Sequence, residues 1–175
     1  LDVMGGALKG LAYLPEFKSA LEAVAHWPIL GLFVGAASTA IIQSSSATIG
    51  ILQELYTTGA IPLIGAIAIV FGDNIGTTVT AVFASIGGSI AAKRTAAAHV
   101  VFNIVGSVVF MLLLVPYTSF IQLLEDKFID ISDPNNMKLT ISFAHMAFNI
   151  FNTFIMFFFI KQLVWLVTKI VRGDD

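Results

Sequence analysis

The residues of this chain best equipped for chemistry stand in two short polar clusters set among apolar neighbours. The first is Gln43-Ser44-Ser45-Ser46, followed by Ala47-Thr48; the second runs Gly72-Asp73-Asn74-Ile75-Gly76-Thr77-Thr78-Val79-Thr80. Both offer amide and hydroxyl oxygens, and neither contains lysine or arginine. The hydroxyls of Ser44, Ser45 and Ser46, with the backbone N–H groups that open a helix at Ala47-Thr48, could cradle a phosphate, a sulfate or a carboxylate. A multiply charged anion withdrawn from water needs positive charge close by. With no cationic side chain in either cluster, a hard cation bound alongside the anion is the simplest source. Gln43, Ser45, Asn74, Thr77, Thr78 and Thr80 supply the oxygens Na⁺ would take. Asp73 is the only acidic residue between Glu54 and Glu125. It is expected to act either as a carboxylate ligand of Na⁺ or as a protonatable relay.

A third polar feature is a repeat. Ala98-His99-Val100-Val101-Phe102-Asn103-Ile104 aligns with Ala144-His145-Met146-Ala147-Phe148-Asn149-Ile150 at an offset of 46 residues. On a helix, His and Asn four apart share a face, which Gly106-Ser107 and Asn152-Thr153 extend. Such a seam either lines a pathway or holds helices together by hydrogen bonds; the second is the expectation here. Ser44–Ser46 with His99 or His145 would also supply the residue types of an intramembrane serine hydrolase. The chain has no Gly-x-Ser-x-Gly motif, however, and three adjacent serines suit coordination better than nucleophilic attack.

These clusters need elements that hold them away from water. In 175 residues, 57% are hydrophobic and 11% charged, against about a quarter charged in soluble domains, and mean hydropathy is +0.91. The chain is expected to be an all-α integral membrane protein in contact with the lipid bilayer. Its net charge of −2 and lack of a basic patch exclude nucleic-acid binding. The absence of cysteine excludes disulfides and thiolate metal sites. The opening residues show no signal-peptide pattern, and a start on Leu1 suggests a piece of a longer protein.

Residues 1–27 mix charged and apolar side chains with helical spacing, as in an amphipathic interfacial helix. The apolar stretch 28–42 spans about 22 Å as a helix, short of a bilayer crossing; it meets the serine cluster and is followed by a second short stretch, so 28–58 reads as a re-entrant hairpin. Residues 60–92 read as a membrane helix broken at Gly72–Thr78, where two glycines permit unwinding. Segments 96–117 and 140–168 read as full transmembrane helices joined by a solvated loop carrying Glu125, Asp126, Lys127, Asp130 and Asp133, with 169–175 as a tail. Basic residues flank the other ends of the spans, so the Lys93-Arg94 turn and the C-terminus are expected on the cytoplasmic side.

The serine tetrad, the Asn-Ile-Gly-Thr motif about 25 residues later and the Lys93-Arg94-Thr95 segment together resemble the repeat unit of the sodium-dependent phosphate cotransporter type II family, over roughly Leu30 to Ile160. The resemblance implies Na⁺-coupled transport of inorganic phosphate, with the serine motif as the substrate and ion cradle. It also implies two such units in inverted orientation, whereas this chain carries one. It would then be half of an inverted-repeat transporter, most simply the C-terminal half of a longer chain, or a complete chain that pairs as a homodimer. Asp73 departs from the family pattern, in which a small or amide residue is expected. An anion channel or a non-transporting membrane subunit is the competing class; a channel would need a continuous polar path rather than short polar breaks.

Overall fold

The computed structural model describes residues 15–173, which fold into helices joined by short turns. In chain order these are α1 (Pro15–His26), α2 (Pro28–Ile42), α3 (Ser45–Thr57), α4 (Leu63–Ser85), α5 (Ile90–Leu112), α6 (Leu114–Phe128), α7 (Pro134–Phe157) and α8 (Ile160–Ile170). Three of them, α4, α5 and α7, are long and apolar enough to cross a membrane. The expected interfacial helix is described only from Pro15 on, as α1; the rest of that segment, and Asp174-Asp175 of the tail, lie outside the described residues.

Proline sets the first corner. Pro28 opens α2 and constrains Trp27 to a non-helical conformation (φ −124°, ψ 80°), and the chain bends by 119° between α1 and α2. The next corner lies at the serine cluster. Gln43 adopts a left-handed conformation (φ 56°), the only non-glycine residue described with positive φ, and its N–H closes α2 on Thr39 O at 2.7 Å. Ser44 is extended and caps α3, its Oγ accepting from Ala47 N–H at 3.3 Å. Thr39 and Thr48 then meet hydroxyl to hydroxyl at 2.9 Å. In a continuous helix residues nine apart would be separated by about 13.5 Å along the axis, so the chain doubles back here and α2–α3 is a helical hairpin.

One expectation fails at the next element. α4 runs unbroken from Leu63 to Ser85 through the entire Gly72–Thr80 cluster. Its glycines allow close approach to α2 rather than unwinding. A Cβ added at Gly72 would collide with the Leu32 carbonyl oxygen and one at Gly76 with that of Ala36, while Gly35 of α2 abuts Ile69 O in return. This small-residue contact makes α2–α4 the most extensive helix pairing in the molecule. The polar side chains of the cluster bond back to their own helix: Asn74 Nδ2 donates to Val70 O (2.8 Å), Thr77 Oγ1 to Asp73 O (2.9 Å) and Thr78 Oγ1 to Ile75 O (2.7 Å).

The distal half corrects the sequence reading in three further places. The span expected over 96–117 starts earlier, at Ile90, and turns at Leu113; Lys93 and Arg94 therefore lie in the first turn of α5, with the turn itself at 86–89. The segment expected as a solvated loop after Tyr117 is helical over 118–128 as the continuation of α6, whose residues Leu114, Tyr117, Ile121 and Glu125 recur at helical spacing and are buried. Glu125 is not solvated: it accepts from Tyr56 Oη at 2.8 Å. The segment 140–168 is interrupted at Phe158-Phe159, and α8 packs against α5. At that end Arg94 donates to Val171 O (3.2 Å) and Gly173 O (2.8 Å), placing the basic first turn of α5 and the end of α8 together. Between the two ends, Phe71, Phe110, Tyr117 and Phe148 interlock with ring centroids 5.1–5.9 Å apart. Outward-facing Val108, Ile150, Phe154, Phe157 and Trp165 are exposed, as lipid contact requires.

Candidate functional site

The hairpin tip comes to rest against the middle of the three span-length helices. A cavity of about 280 Å³ opens there, with Ser45 of α3 beside Asn74 and Thr77 of α4. Its other walls are His99 and Asn103 of α5 and His145 and Asn149 of α7, with Phe102 between them. The two clusters singled out in the sequence thus share one pocket, even though the second lies on an intact helix.

The individual residues divide by what their polar atoms are already doing. Ser45, Asn74 and Thr77 face the cavity. Ser44 Oγ is engaged in capping α3, so the Ala47 N–H is occupied, and the Thr48 N–H bonds Ser44 O at 3.2 Å. The donors that remain at this helix start are the N–H groups of Ser45 and Ser46 and the hydroxyls of Ser44, Ser45 and Ser46, since Ser44 Oγ caps as an acceptor and keeps its own hydrogen. Thr48 is buried, its hydroxyl facing Thr39 rather than the pocket. Gln43 and Ser46 are exposed at the tip. Thr78 is buried within α4 packing, and Thr80 is exposed beyond the pocket with its hydroxyl on Thr77 O at 2.9 Å.

Asp73 is fully buried behind the cavity wall. Thr39 Oγ1 donates to its Oδ1 at 2.6 Å, while Oδ2 has no hydrogen-bond partner among the described residues and lies 3.8 Å from His145 Nε2. The carboxyl group therefore connects the hairpin, through Thr39 and Thr48, to α7, through His145. It stands one residue from Asn74, whose side chain lines the pocket. Thr39 was not legible as a site residue in the sequence: it is one hydroxyl in an apolar helix, and only the fold places it opposite Asp73.

The repeated seam turns out to serve two purposes. Its His-Asn halves line the cavity, contrary to the expectation that they only tie helices together. Its other halves do tie helices: Ser107 Oγ donates to Phe71 O at 2.8 Å and Asn152 Nδ2 to Phe102 O at 3.3 Å, with Gly106 packed directly against the Asn152 side chain. The signal that could have separated the two roles was the 46-residue repeat itself, since it duplicates the His-Asn pair but not the Gly106-Ser107 and Asn152-Thr153 positions beyond it. Away from the cavity, Lys138 of α7 pairs with Glu54 of α3. Gln53 Nε2 donates to Ser142 Oγ at 2.8 Å, and with the Lys138–Glu54 pair fixes the outer leg of the hairpin to α7.

Comparison with known proteins places the chain in a family by sequence. The family profile described as Na+/Pi-cotransporter matches residues 1–171. The uncharacterized protein YqeW of Bacillus subtilis is 47% identical over 91 residues, 52% of this chain and 30% of that protein. Sodium-dependent phosphate transport protein 2A of Rattus norvegicus is 36% identical over 83 residues, covering 46% of this chain and 13% of its own length. Sodium-dependent phosphate transport protein 2B of Homo sapiens is 33% identical over 116 residues, 61% of this chain and 17% of that protein. The matched region thus accounts for less than a third of each of these relatives. No solved structure matches.

Proposed function

The chain belongs to the Na+/Pi-cotransporter family, and from that premise we propose that it is one repeat unit of a multi-pass membrane carrier that couples inorganic phosphate to Na⁺. The observation that carries this reading is the convergence of Ser45 with Asn74 and Thr77 on one pocket at the middle of α4, α5 and α7. In a bilayer, the hairpin then re-enters without crossing and its tip lies near the midplane, where polar backbone is tolerated because it lines a cavity.

The division of labour follows from the free atoms. Phosphate oxygens accept from the Ser45 and Ser46 hydroxyls and from the two uncommitted N–H groups at the start of α3, with favourable alignment to that helix end. Ser44 holds the helix start in shape; Ala47 and Thr48 contribute through the cap geometry rather than by free N–H groups. Na⁺ takes oxygens of Ser45, Asn74 and Thr77, with Gln43 reaching from the tip. Asp73 adds negative potential from behind the wall, and Thr78 and Thr80 support the helix that presents these ligands. Each ion lowers the desolvation cost of the other, so binding is coupled without any further device.

A single unit leaves the tip open, with Gln43 and Ser46 exposed beside the apolar Ile41 and Ile42 that end α2. A second unit, from the remainder of a longer chain or from another copy in inverted orientation, completes the enclosure. Where the second unit belongs to the same longer chain, the Arg94 end of this unit faces the cytoplasm. Reconstituted vesicles provide the test: labelled phosphate uptake should depend on an inward Na⁺ gradient and saturate with substrate. Linear, Na⁺-independent flux would instead identify a pore.

A further inference from the structure

Three asparagines on three different helices line the cavity and share one hydrogen-bonding arrangement. Asn74 Nδ2 donates to Val70 O at 2.8 Å, Asn103 Nδ2 to His99 O at 2.9 Å and Asn149 Nδ2 to His145 O at 2.9 Å. Each amide thus anchors its nitrogen on the carbonyl one turn earlier, and its Oδ1 accepts no hydrogen bond among the described residues. Thr77 adds another acceptor, because its hydroxyl hydrogen is committed to Asp73 O at 2.9 Å. Among the described residues no lysine or arginine lines the pocket, and the Asp73 carboxyl stands behind it, fully buried.

From this we propose that Asn103 and Asn149 bind an alkali cation, together with Asn74, through their amide oxygens, so that α5 and α7 hold the coupling ion as directly as the hairpin and α4 do. The inference rests on the Na⁺-coupled reading above and adds to it two ligands on the repeated His-Asn faces. Hard cations select neutral and anionic oxygens. A wall of uncommitted amide carbonyls over a buried carboxyl offers those and no competing cationic side chain. The matching orientation of the two repeats is consistent with this: an amide that only linked helices would reach a neighbouring element, as Asn152 does at Phe102 O, whereas Asn103 and Asn149 bond only within their own helices.

The test uses Na⁺ alone, without phosphate, on the purified protein in detergent. Thermal unfolding is compared in NaCl and in N-methylglucamine chloride at constant ionic strength, because a ligand bound to the folded state raises the midpoint. Wild-type protein should show a Na⁺-dependent rise. Asn103→Ser and Asn149→Ser let the hydroxyl donate to the same carbonyl one turn back but draw the remaining oxygen one bond back toward the helix, out of reach of a cation held at the amide position, and should shift the Na⁺ concentration for half-maximal stabilisation upward at least tenfold. Asn103→Asp and Asn149→Asp retain the oxygen and should stay within about threefold of wild type. Serine variants with unchanged Na⁺ response, aspartate variants as impaired as the serine ones, or wild-type protein without a Na⁺ response would each overturn the assignment. A protein that passes this test yet binds no phosphate would sink the transport reading and leave the cation site standing.

Discussion

Thr39 and Asp73 show how a single hydroxyl conditions the centre of this molecule. The Asp73 carboxyl has one hydrogen-bond donor among the described residues, Thr39 at 2.6 Å, and an Oδ2 without any. Thr39→Val keeps the shape and removes the donor. Leaving a buried group unsatisfied costs about 1–3 kcal/mol, and that loss is expected in chemical unfolding of the purified protein. Combining it with Asp73→Leu should recover part of the loss, since the second change removes the acceptor the hydroxyl serves. Strict additivity of the two would contradict the pairing. At this scale the sequence was informative about residue type and weaker about role. Ser45, Asn74 and Thr77, which line the pocket, were legible as candidates because polar atoms in an apolar chain demand an explanation. The free N–H groups expected at Ala47 and Thr48 are both engaged, because Ser44 accepts one at its Oγ and the other at its carbonyl, and only coordinates reveal that.

The hairpin and α4 explain why the two clusters meet at one pocket although the elements differ in part from the sequence reading. The break at Gln43-Ser44 was readable from the length of the apolar stretch before it and the polarity of the tetrad. The break expected at Gly72–Thr78 is absent, because glycine serves equally for unwinding and for close packing, and the choice depends on a partner helix that local sequence does not identify. Gly72 lies against the Leu32 carbonyl and Gly76 against that of Ala36. Gly72→Ala therefore cannot be accommodated without moving α2 away from α4. Overpacking of this kind costs about 1–3 kcal/mol, and here it also withdraws Thr39 from Asp73. Reduced thermal stability together with weakened Na⁺ response is expected; a variant indistinguishable from wild type in both would show that the glycine contact does not set the position of the hairpin. The acidic connection differs from expectation for another reason: its formal charges conceal the helical spacing of Leu114, Tyr117, Ile121 and Glu125, and the partner of Glu125, Tyr56, lies 69 positions away.

Across the whole molecule, the two ends are distinguished by their tethers. Glu54–Lys138 and Tyr56–Glu125 gather at one end, and Arg94 with Val171 and Gly173 at the other. The chain has no cysteine, so Ser132→Cys and Arg172→Cys, both at exposed residues, provide single labelling positions. In sealed vesicles an impermeant maleimide should reach only one of them from outside when every copy has one orientation, and both when copies pair in inverted orientation; labelling of neither would contradict the layout of the spans. The basic residues make this sidedness readable in the sequence, but they cannot supply the midpoint geometry that joins the serine tip to α4, α5 and α7. The account as a whole turns on whether that junction holds phosphate only when Na⁺ is there. Calorimetric titration of phosphate into the purified protein measures this directly: saturable heat in NaCl, none in choline chloride, and none in either salt for Ser45→Ala or Asn74→Ala is the expected result. Equal phosphate affinity in both salts, or wild-type affinity in the two variants, would contradict it.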